Sequence, residues 1–340
     1  MSRALAADLD SILEHTRPLW EELRGNRIFL TGGTGFFGCW LLESFTWANE
    51  RLKLNAKAVV LTRDTARFSK KAAHLAGDPS VELRPGDVRN FAFPAGEFTH
   101  ILHAATDSAV VPSATEVVET IVRGTERCLA FAQKARCRKL LFTSSGAVYG
   151  KQPSNLTHVP EDYAGAPDPL NPSSAYGEAK RLAELQCALA SAADFETKVA
   201  RCFAFVGPYM NLEVHFAIGN FLRDQMHGGP IVVKGDGTAV RSYLYASDLA
   251  IWLWTVLFQG QSNRAYNVGS ENEVSIGELA RTVASIGSPR VEIRIEGQAC
   301  GVPPARYVPS TQRAQKELGL AERVSLSVAI EKTRSWCLGK

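Results

Sequence analysis

No basic block, paired-cysteine motif, low-complexity tract or long apolar run occurs in this 340-residue sequence, and each absence removes a class of protein. The seven cysteines (Cys39, Cys128, Cys137, Cys187, Cys202, Cys300 and Cys337) are odd in number, and no C-x-x-C spacing links them. That argues against zinc or redox work, so reduced thiols and no metal are expected. Charged residues make up 21% of the chain and the formal net charge is +3, a balance without the electrostatic footprint of a nucleic-acid binder. Any anionic partner is then small. Leu249–Phe258 is apolar but far too short to span a bilayer, so no membrane partner is expected. Asp8, Asp10 and Glu14 fall where a secretory signal needs an unbroken apolar run, which makes the cytoplasm the expected location. Without an internal repeat, a solenoid is also excluded.

What the sequence does contain is a rhythm. Short apolar runs at Arg27–Thr31, Ala58–Thr62, Val81–Leu83, His100–Ala104, Leu140–Ser144 and Thr197–Phe203 alternate with helical stretches. Such βα alternation predicts an α/β fold of the Rossmann type, a doubly wound parallel sheet with helices on both faces. An amphipathic helix over Leu9–Leu23 precedes it, read as packing. After Gly207-Pro208 the rhythm changes, with a helix near Phe216–Met226, a strand at Ile231–Lys234 and Gly/Pro punctuation. The predicted organisation is an N-terminal helix over 1–26, a Rossmann domain from 27–204 and 241–270, and a smaller α/β substrate lobe from 205–240 and 271–340.

Thr31-Gly32-Gly33-Thr34-Gly35-Phe36-Phe37-Gly38 follows a strand and opens a helix. Gly32, Gly35 and Gly38 let the backbone turn tightly against a pyrophosphate, and the helix start at Phe36 and Phe37 offers it N–H groups. This predicts a dinucleotide site. The second strand ends in Thr62-Arg63, and a hydroxyl beside a guanidinium suits a 2′-phosphate, which favours NADP(H). Asp64 keeps NAD(H) as the alternative, because a carboxylate here would bond a free 2′-hydroxyl. Asp87 and Val88 are placed at the adenine edge. Ala104, Ala105 and Thr106 are small residues suited to close approach by a ribose, and His103 before them reads as a satisfied core histidine.

Tyr176 and Lys180 stand at i and i+4 on a helix that Asn171-Pro172 can initiate. A free phenol has a pKa of about 10, and a nearby ammonium lowers it toward the range of a general base. Leu140–Ser145 ends in hydroxyls at the carboxyl edge of the sheet, the side where open α/β folds bind ligands. Ser145, or less favourably Ser144, is placed to share a substrate oxygen with Tyr176.

With these residues in hand, the chain resembles the extended short-chain dehydrogenase/reductase family, in its nucleotide-sugar epimerase, dehydratase and reductase branch. The motifs are T-G-G-x-G-F-x-G, S-S-x-x-V-Y-G at Ser144–Gly150 and P-x-S-x-Y-G-x-x-K at Pro172–Lys180, and the likeness runs from Arg27 almost to the end. The resemblance implies that Arg241 grips the substrate diphosphate, with Arg306, Asn220 and Ser144 also at the substrate, and that Lys180 touches the cofactor as well as Tyr176. It also implies a nucleotide-sugar substrate and a homodimer, and it leaves Asn267 open to a structural role. Departures narrow the chemistry. Family dehydratases carry Asp-Glu where Gly146 and Ala147 stand, and family decarboxylases usually keep a glutamate there. Ile121 and Ala204 replace family asparagines. The expected activity is therefore hydride transfer at the sugar C4, by a 4-ketoreductase first and a 4-epimerase second. A dehydratase or decarboxylase with displaced acid/base groups, a reductase of a non-sugar carbonyl, and a non-catalytic NADP sensor remain as alternatives.

Overall fold

A computed structural model of the chain describes residues 5–106, 113–191, 195–213, 216–286, 290–298 and 301–339, and Cys300 falls outside them. Six strands follow the predicted runs to within about two residues, as boundary uncertainty allows: β1 (Arg27–Thr31), β2 (Lys57–Thr62), β3 (Val81–Pro85), β4 (His100–His103), β5 (Lys139–Ser145) and β6 (Glu196–Cys202). Short strands β7 (Phe205–Val206), β8 (Ile231–Val233), β9 (Val240–Arg241) and β10 (Leu244–Tyr245) come next, then β11 (Arg264–Val268), which returns to the main sheet. The sheet runs β11-β6-β5-β4-β1-β2-β3, with every pair parallel. From β1 the chain winds outward through β2 and β3, then crosses back to β4 and winds the other way. The carboxyl ends of β1 and β4 therefore flank the point where the order reverses, which is where such sheets bind ligands.

Residues alternate between two cores because side chains leave a strand on opposite faces. Ile28, Leu30, Val60 and Leu141 pack toward α1 (Ala6–Thr16), α2 (Phe36–Leu52) and, later in the chain, the almost wholly buried helix Ala246–Gln259. Phe29, Val59, Ile101 and Phe142 face the opposite core. Short helices α3 (Thr65–Lys71) and α4 (Ala73–Ala76) follow β2, while α5 (Ala114–Lys134) and α6 (Ala175–Ala190) cover that second face. Next come α7 (Ala217–Met226), α8 (the Ala246–Gln259 helix) and α9 (Ile276–Ser285). No helix among the described residues is long and apolar enough to cross a membrane.

The N-terminal segment departs from the expected single helix. Beyond α1 the backbone tightens into a 3-10 turn over Arg17–Leu23, where Pro18 supplies no N–H to continue the α-helical ladder. The segment packs firmly on the body. The Asp8 carboxylate accepts hydrogen bonds from the Tyr245 hydroxyl at 2.9 Å and from Lys332, and Trp20 packs on Trp254 with ring centroids 4.7 Å apart.

The remaining chain builds small sheets. β12 (Val274–Ser275) and β14 (Arg306–Tyr307) flank β9, while β13 (Ile293–Ile295) pairs with β8; α10 (Gln312–Leu318) and α11 (Leu326–Cys337) close the chain. Arg241 thus sits in a three-stranded sheet with segments 274–275 and 306–307, not at the start of the segment that returns to the main sheet.

Two histidines are sealed inside the main sheet. His103 lies with Nδ1 2.7 Å from Thr31 Oγ1 and Nε2 3.1 Å from Thr125 Oγ1, and burial pushes its pKa down to about 3. Burial likewise lowers His100 to about 4. Both fall below the value of 6.5 of the free side chain, so between 6.5 and 4 the unfolded chain binds more protons than the native one. Stability therefore falls as pH drops through that window, by about 1.4 kcal/mol per pH unit for each fully titrating group. Urea unfolding followed from pH 7.5 to pH 5 is expected to show a steadily falling midpoint, and a midpoint that stays level would contradict the buried neutral histidines.

Candidate active site

The glycine turn is pressed backbone to backbone against the end of β4. Gly32 has φ +70°, and a Cβ there would lie 2.4 Å from the Ala104 carbonyl oxygen; at Gly38 it would lie 2.3 Å from Gly33 backbone atoms. Only glycine meets both demands. Thr31 Oγ1 accepts from Ala105 N–H at 3.2 Å and ties the β1 end to the β4 end. Gly35 leaves α2 without a side-chain cap, so its first N–H groups, at Phe36 and Phe37, are available to an anion. The Phe37 ring meets Phe205 edge-on at 5.0 Å, which fixes this corner of the crevice. Thr106 Oγ1 is buried without a partner beside it. A positive-φ turn, an uncapped helix start and an orphaned buried hydroxyl together fit a dinucleotide.

At the end of β2, the Asp64 side chain accepts from Arg67 N–H at 2.8 Å and caps α3, while Thr62 Oγ1 accepts from Asp64 N–H at 3.3 Å. Arg63 follows Thr62 at this exposed edge, and its charge reaches Asp87. Arg89 forks onto Asp87 at 2.9 and 2.8 Å and holds that carboxyl below its usual range, with Arg63 adding a smaller pull. Val88 is buried against Gly124 of α5, where a Cβ would approach it to 3.0 Å.

Across the crevice, β5 delivers Ser145. Its Oγ accepts from Ala147 N–H at 3.2 Å, lies 3.4 Å from the hydroxyl of Tyr307, and is near enough to Tyr176 to lower the pKa of that phenol against the effect of burial. Asn171 caps a short turn over Pro172–Ser174 that leads into α6, so Tyr176 sits in the first turn of that helix with Lys180 one turn on. The Lys180 ammonium donates to Thr143 carbonyl at 2.7 Å and lies 5.8 Å from the centroid of the Tyr176 ring.

Two expectations change here. The ammonium was to draw the phenol down, yet burial dominates and pushes Tyr176 up to about 12, offset only by the Ser145 hydrogen bond, while burial lowers Lys180 to about 8. Ser144, expected at the substrate, is turned to a different partner. Its hydroxyl donates to Glu184 at 2.5 Å, on the opposite face from Ser145, and Glu184 in turn anchors Arg201. Adjacent strand residues point to opposite sides, so only one of the two serines can face the crevice.

The small β12-β9-β14 sheet contributes Arg241, whose Nη1 donates to the Val240 and Ala305 carbonyls at 2.8 and 3.2 Å, directly across the β9–β14 pairing from Tyr307. Arg306, the preceding residue, pairs with Glu273. Asn220 lies on α7 and accepts from Arg223 at 3.5 Å. Asn267 is structural: its Nδ2 donates to the Val159 and Ser310 carbonyls at 2.8 and 2.9 Å, and its Oδ1 accepts from Tyr149 at 2.7 Å. Sequence reasoning missed Tyr307 altogether. Its one local trace was Gly146, a residue without a side chain just past Ser145. Among the described residues, no group of three or more His, Cys, Asp or Glu gathers as a metal site would require.

Comparison with known proteins gives a consistent picture. The sequence model of the "NAD dependent epimerase/dehydratase family" matches residues 28–269. UDP-glucuronic acid decarboxylase 6 of Arabidopsis thaliana is 31% identical over 307 residues, spanning 88% of this chain and 85% of that protein. Among solved structures, a dTDP-glucose 4,6-dehydratase double mutant from Streptomyces venezuelae, with NAD and DAU bound, superposes with a TM-score of 0.77 at 25% identity, covering 91% of this chain and 96% of that one. The UDP-glucose 4-epimerase of Thermotoga maritima shares the fold, with a TM-score of 0.76 at 19% identity and coverages of 92% and 99%.

Thr106→Val tests the orphaned hydroxyl. Replacing a buried, unpartnered hydroxyl by a methyl should not lower the melting temperature. Dinucleotide affinity, measured by calorimetric titration, should fall roughly five-fold, the worth of about 1 kcal/mol for a hydrogen bond made only in the complex.

Proposed function

The chain belongs to the NAD dependent epimerase/dehydratase family, and from that premise we propose that it withdraws hydride from C4 of a nucleoside-diphosphate sugar and returns it in the same cycle. The substrate assigned first is UDP-glucuronate, with carbon dioxide lost between the two transfers. The observation that carries the C4 chemistry is the meeting of Ser145 and Tyr176 at the β5 end of the crevice, with Lys180 on the same helix. The choice of a sugar acid is supported by 31% identity to a UDP-glucuronic acid decarboxylase along 88% of the chain.

This favours the decarboxylase alternative over the 4-ketoreductase expected first from sequence. Gly146 and Ala147 lack the acid pair that eliminating water needs, since a proton and a hydroxyl must leave from different carbons. Decarboxylation makes a smaller demand. Once C4 is a ketone, the C6 carboxylate is that of a β-keto acid, so the C5–C6 bond breaks with its electron pair delocalised onto the C4 oxygen; a proton from water then adds to C5 as the C4 ketone re-forms, ready to take back the hydride. The protein must hold that oxygen. Ser145 and Tyr176 are the groups that do so, and Tyr176 takes the C4 hydroxyl proton at the start and gives it back at the end. Lys180 steadies the β5 end through the Thr143 carbonyl, and Arg241 supplies a permanent cation for the diphosphate.

The dinucleotide, when bound, supplies the hydride acceptor, held by the Gly32–Gly38 turn, the α2 N-terminus and Thr106. A cycle that returns its hydride needs no exchange of cofactor, and the family to which the chain belongs is NAD dependent. NAD is therefore the proposed form, with Thr62 and Arg63 the residues through which NADP would compete. A 4-epimerase, which uses the same groups without losing a carboxylate, is the second reading, and the acid-free Gly146-Ala147 favours it.

We also propose a homodimer through α6, where Leu182, Leu185 and Leu189 are exposed at helical spacing. A two-fold pairing would bury this stripe twice over. Leu185→Glu should shift the sedimentation coefficient from dimer to monomer.

Turnover of UDP-glucuronate with added NAD is expected to release one carbon dioxide per sugar, as a UDP-pentose, with no net NADH. A C4 epimer that keeps all six carbons would replace decarboxylation by epimerisation. Stoichiometric consumption of NADPH with a 4-keto sugar would return the assignment to a ketoreductase. Tyr176→Phe should lower kcat by about 10²- to 10⁴-fold, as loss of a general acid/base does.

A further inference from the structure

Gly146 stands where the dehydratases of this family carry an acid, and the space that its side chain would fill is already taken. A Cβ built on Gly146 would lie 2.8 Å from the Tyr307 hydroxyl and 2.8 Å from the Phe203 ring. Phe203 and Tyr307 pack with ring centroids 4.7 Å apart, so the phenol is clamped rather than loose. The hydroxyl ends 3.4 Å from Ser145 Oγ, and Ser145 also lies near enough to Tyr176 to act on its phenol. An oxygen seated on Ser145 is therefore within reach of two phenols.

We propose that Tyr307 is a third hydroxyl of the reaction centre, donating a hydrogen bond to the same sugar oxygen that Ser145 and Tyr176 hold, and that Gly146 lacks a side chain in order to admit it. The inference rests on the reading of this site as the C4 centre of a nucleotide sugar. Tyr307 comes from β14 of the second lobe, in register with Arg241 on β9. The same two-residue pairing thus sets a cation for the diphosphate beside a donor for the reacting oxygen. Burial raises the Tyr307 pKa well above its ordinary value, which keeps the hydroxyl protonated and a donor across the working pH range. When carbon dioxide leaves C5, negative charge collects on the C4 oxygen. A donor fixed in advance at that oxygen stabilises the transition state more than the ground state. Replacing the acid of a dehydratase by a neutral donor also fits a reaction that eliminates no water.

Tyr307→Phe removes only the hydroxyl and keeps the ring on Phe203. With the nucleotide sugar that the wild type turns over, kcat is expected to fall about 10²- to 10³-fold, the loss seen on removing one oxyanion donor, with KM changed much less. The melting temperature and NAD affinity should match the wild type. Gly146→Ala should lower kcat by displacing the phenol, and its effect should shrink in the Tyr307→Phe background, because the two changes disturb one contact. A purely structural role would leave kcat intact or give additive losses. If Tyr176→Phe is inactive while Tyr307→Phe keeps its kcat, this assignment fails and the proposed function stands. If the wild type turns over no nucleotide sugar, both fail.

Discussion

A backbone-on-backbone contact at the sheet's reversal point governs what the rest of the molecule can do. Gly32 touches the Ala104 carbonyl with no room for a methyl group, and Thr31 bonds both the Ala105 N–H and His103. β1 and β4 are thereby held together at their carboxyl ends, while the helices after them diverge to opposite faces. The crevice follows from that divergence. Its far wall is β5, in register with β4 through His103↔Phe142, so Thr143, Ser144 and Ser145 emerge just beyond the last residue paired with β4, while still paired with β6 on the other side. Lys180 grips the Thr143 carbonyl and Ser145 meets Tyr176, so α6 and β5 are bound through the same side chains that face the crevice.

Burial, more than charge pairing, sets the electrostatics of this centre. Tyr176 is pushed up to about 12 and Lys180 down to about 8, each away from its charged form, because a low-dielectric site disfavours both ions. A phenol with that pKa keeps its proton near neutrality, so the proton must be drawn off by charge that arrives with the ligands before the phenolate can act as a base. The Lys180 ammonium donates one of its hydrogen bonds to a carbonyl oxygen and lies 5.8 Å from the centroid of the phenol ring. The simple picture of a lysine lowering a neighbouring tyrosine therefore does not describe this state.

Much of this was legible from sequence because it is local. The glycine turn, the strand before it and the helix after it lie within Arg27–Leu52, and the Tyr176/Lys180 spacing lies within one helix. The strand runs were legible for the same reason, since apolar residues cluster wherever a parallel strand is covered on both sides. What was illegible depended on phase or on distant pairing. Composition marks Ser144 and Ser145 alike, and only the pleat turns one to Glu184 and the other to the crevice. The end of α1 was blurred because an apolar stripe continues past Pro18, although the backbone cannot remain α-helical there. Tyr307 was invisible because it reaches Ser145 across 162 residues, through strands only two residues long.

The same long-range pairing explains why the absence of an acid at Gly146-Ala147 was a weaker argument than it looked. Read along the chain, two missing carboxylates leave hydride transfer as the whole chemistry. Seen in space, the position of one is filled by a phenol from the other lobe, and Arg306, next to that phenol, faces the other way to pair with Glu273. Strand alternation thus divides β14 between one residue for the reaction centre and one for the lobe's own stability. A site with three hydroxyls around one oxygen, and no carboxylate at the Gly146-Ala147 positions, suits charge that appears on oxygen and disfavours loss of water from carbon. Losing carbon dioxide from a β-keto acid makes that demand on the protein, as does the simpler oxidation and reduction of an alcohol.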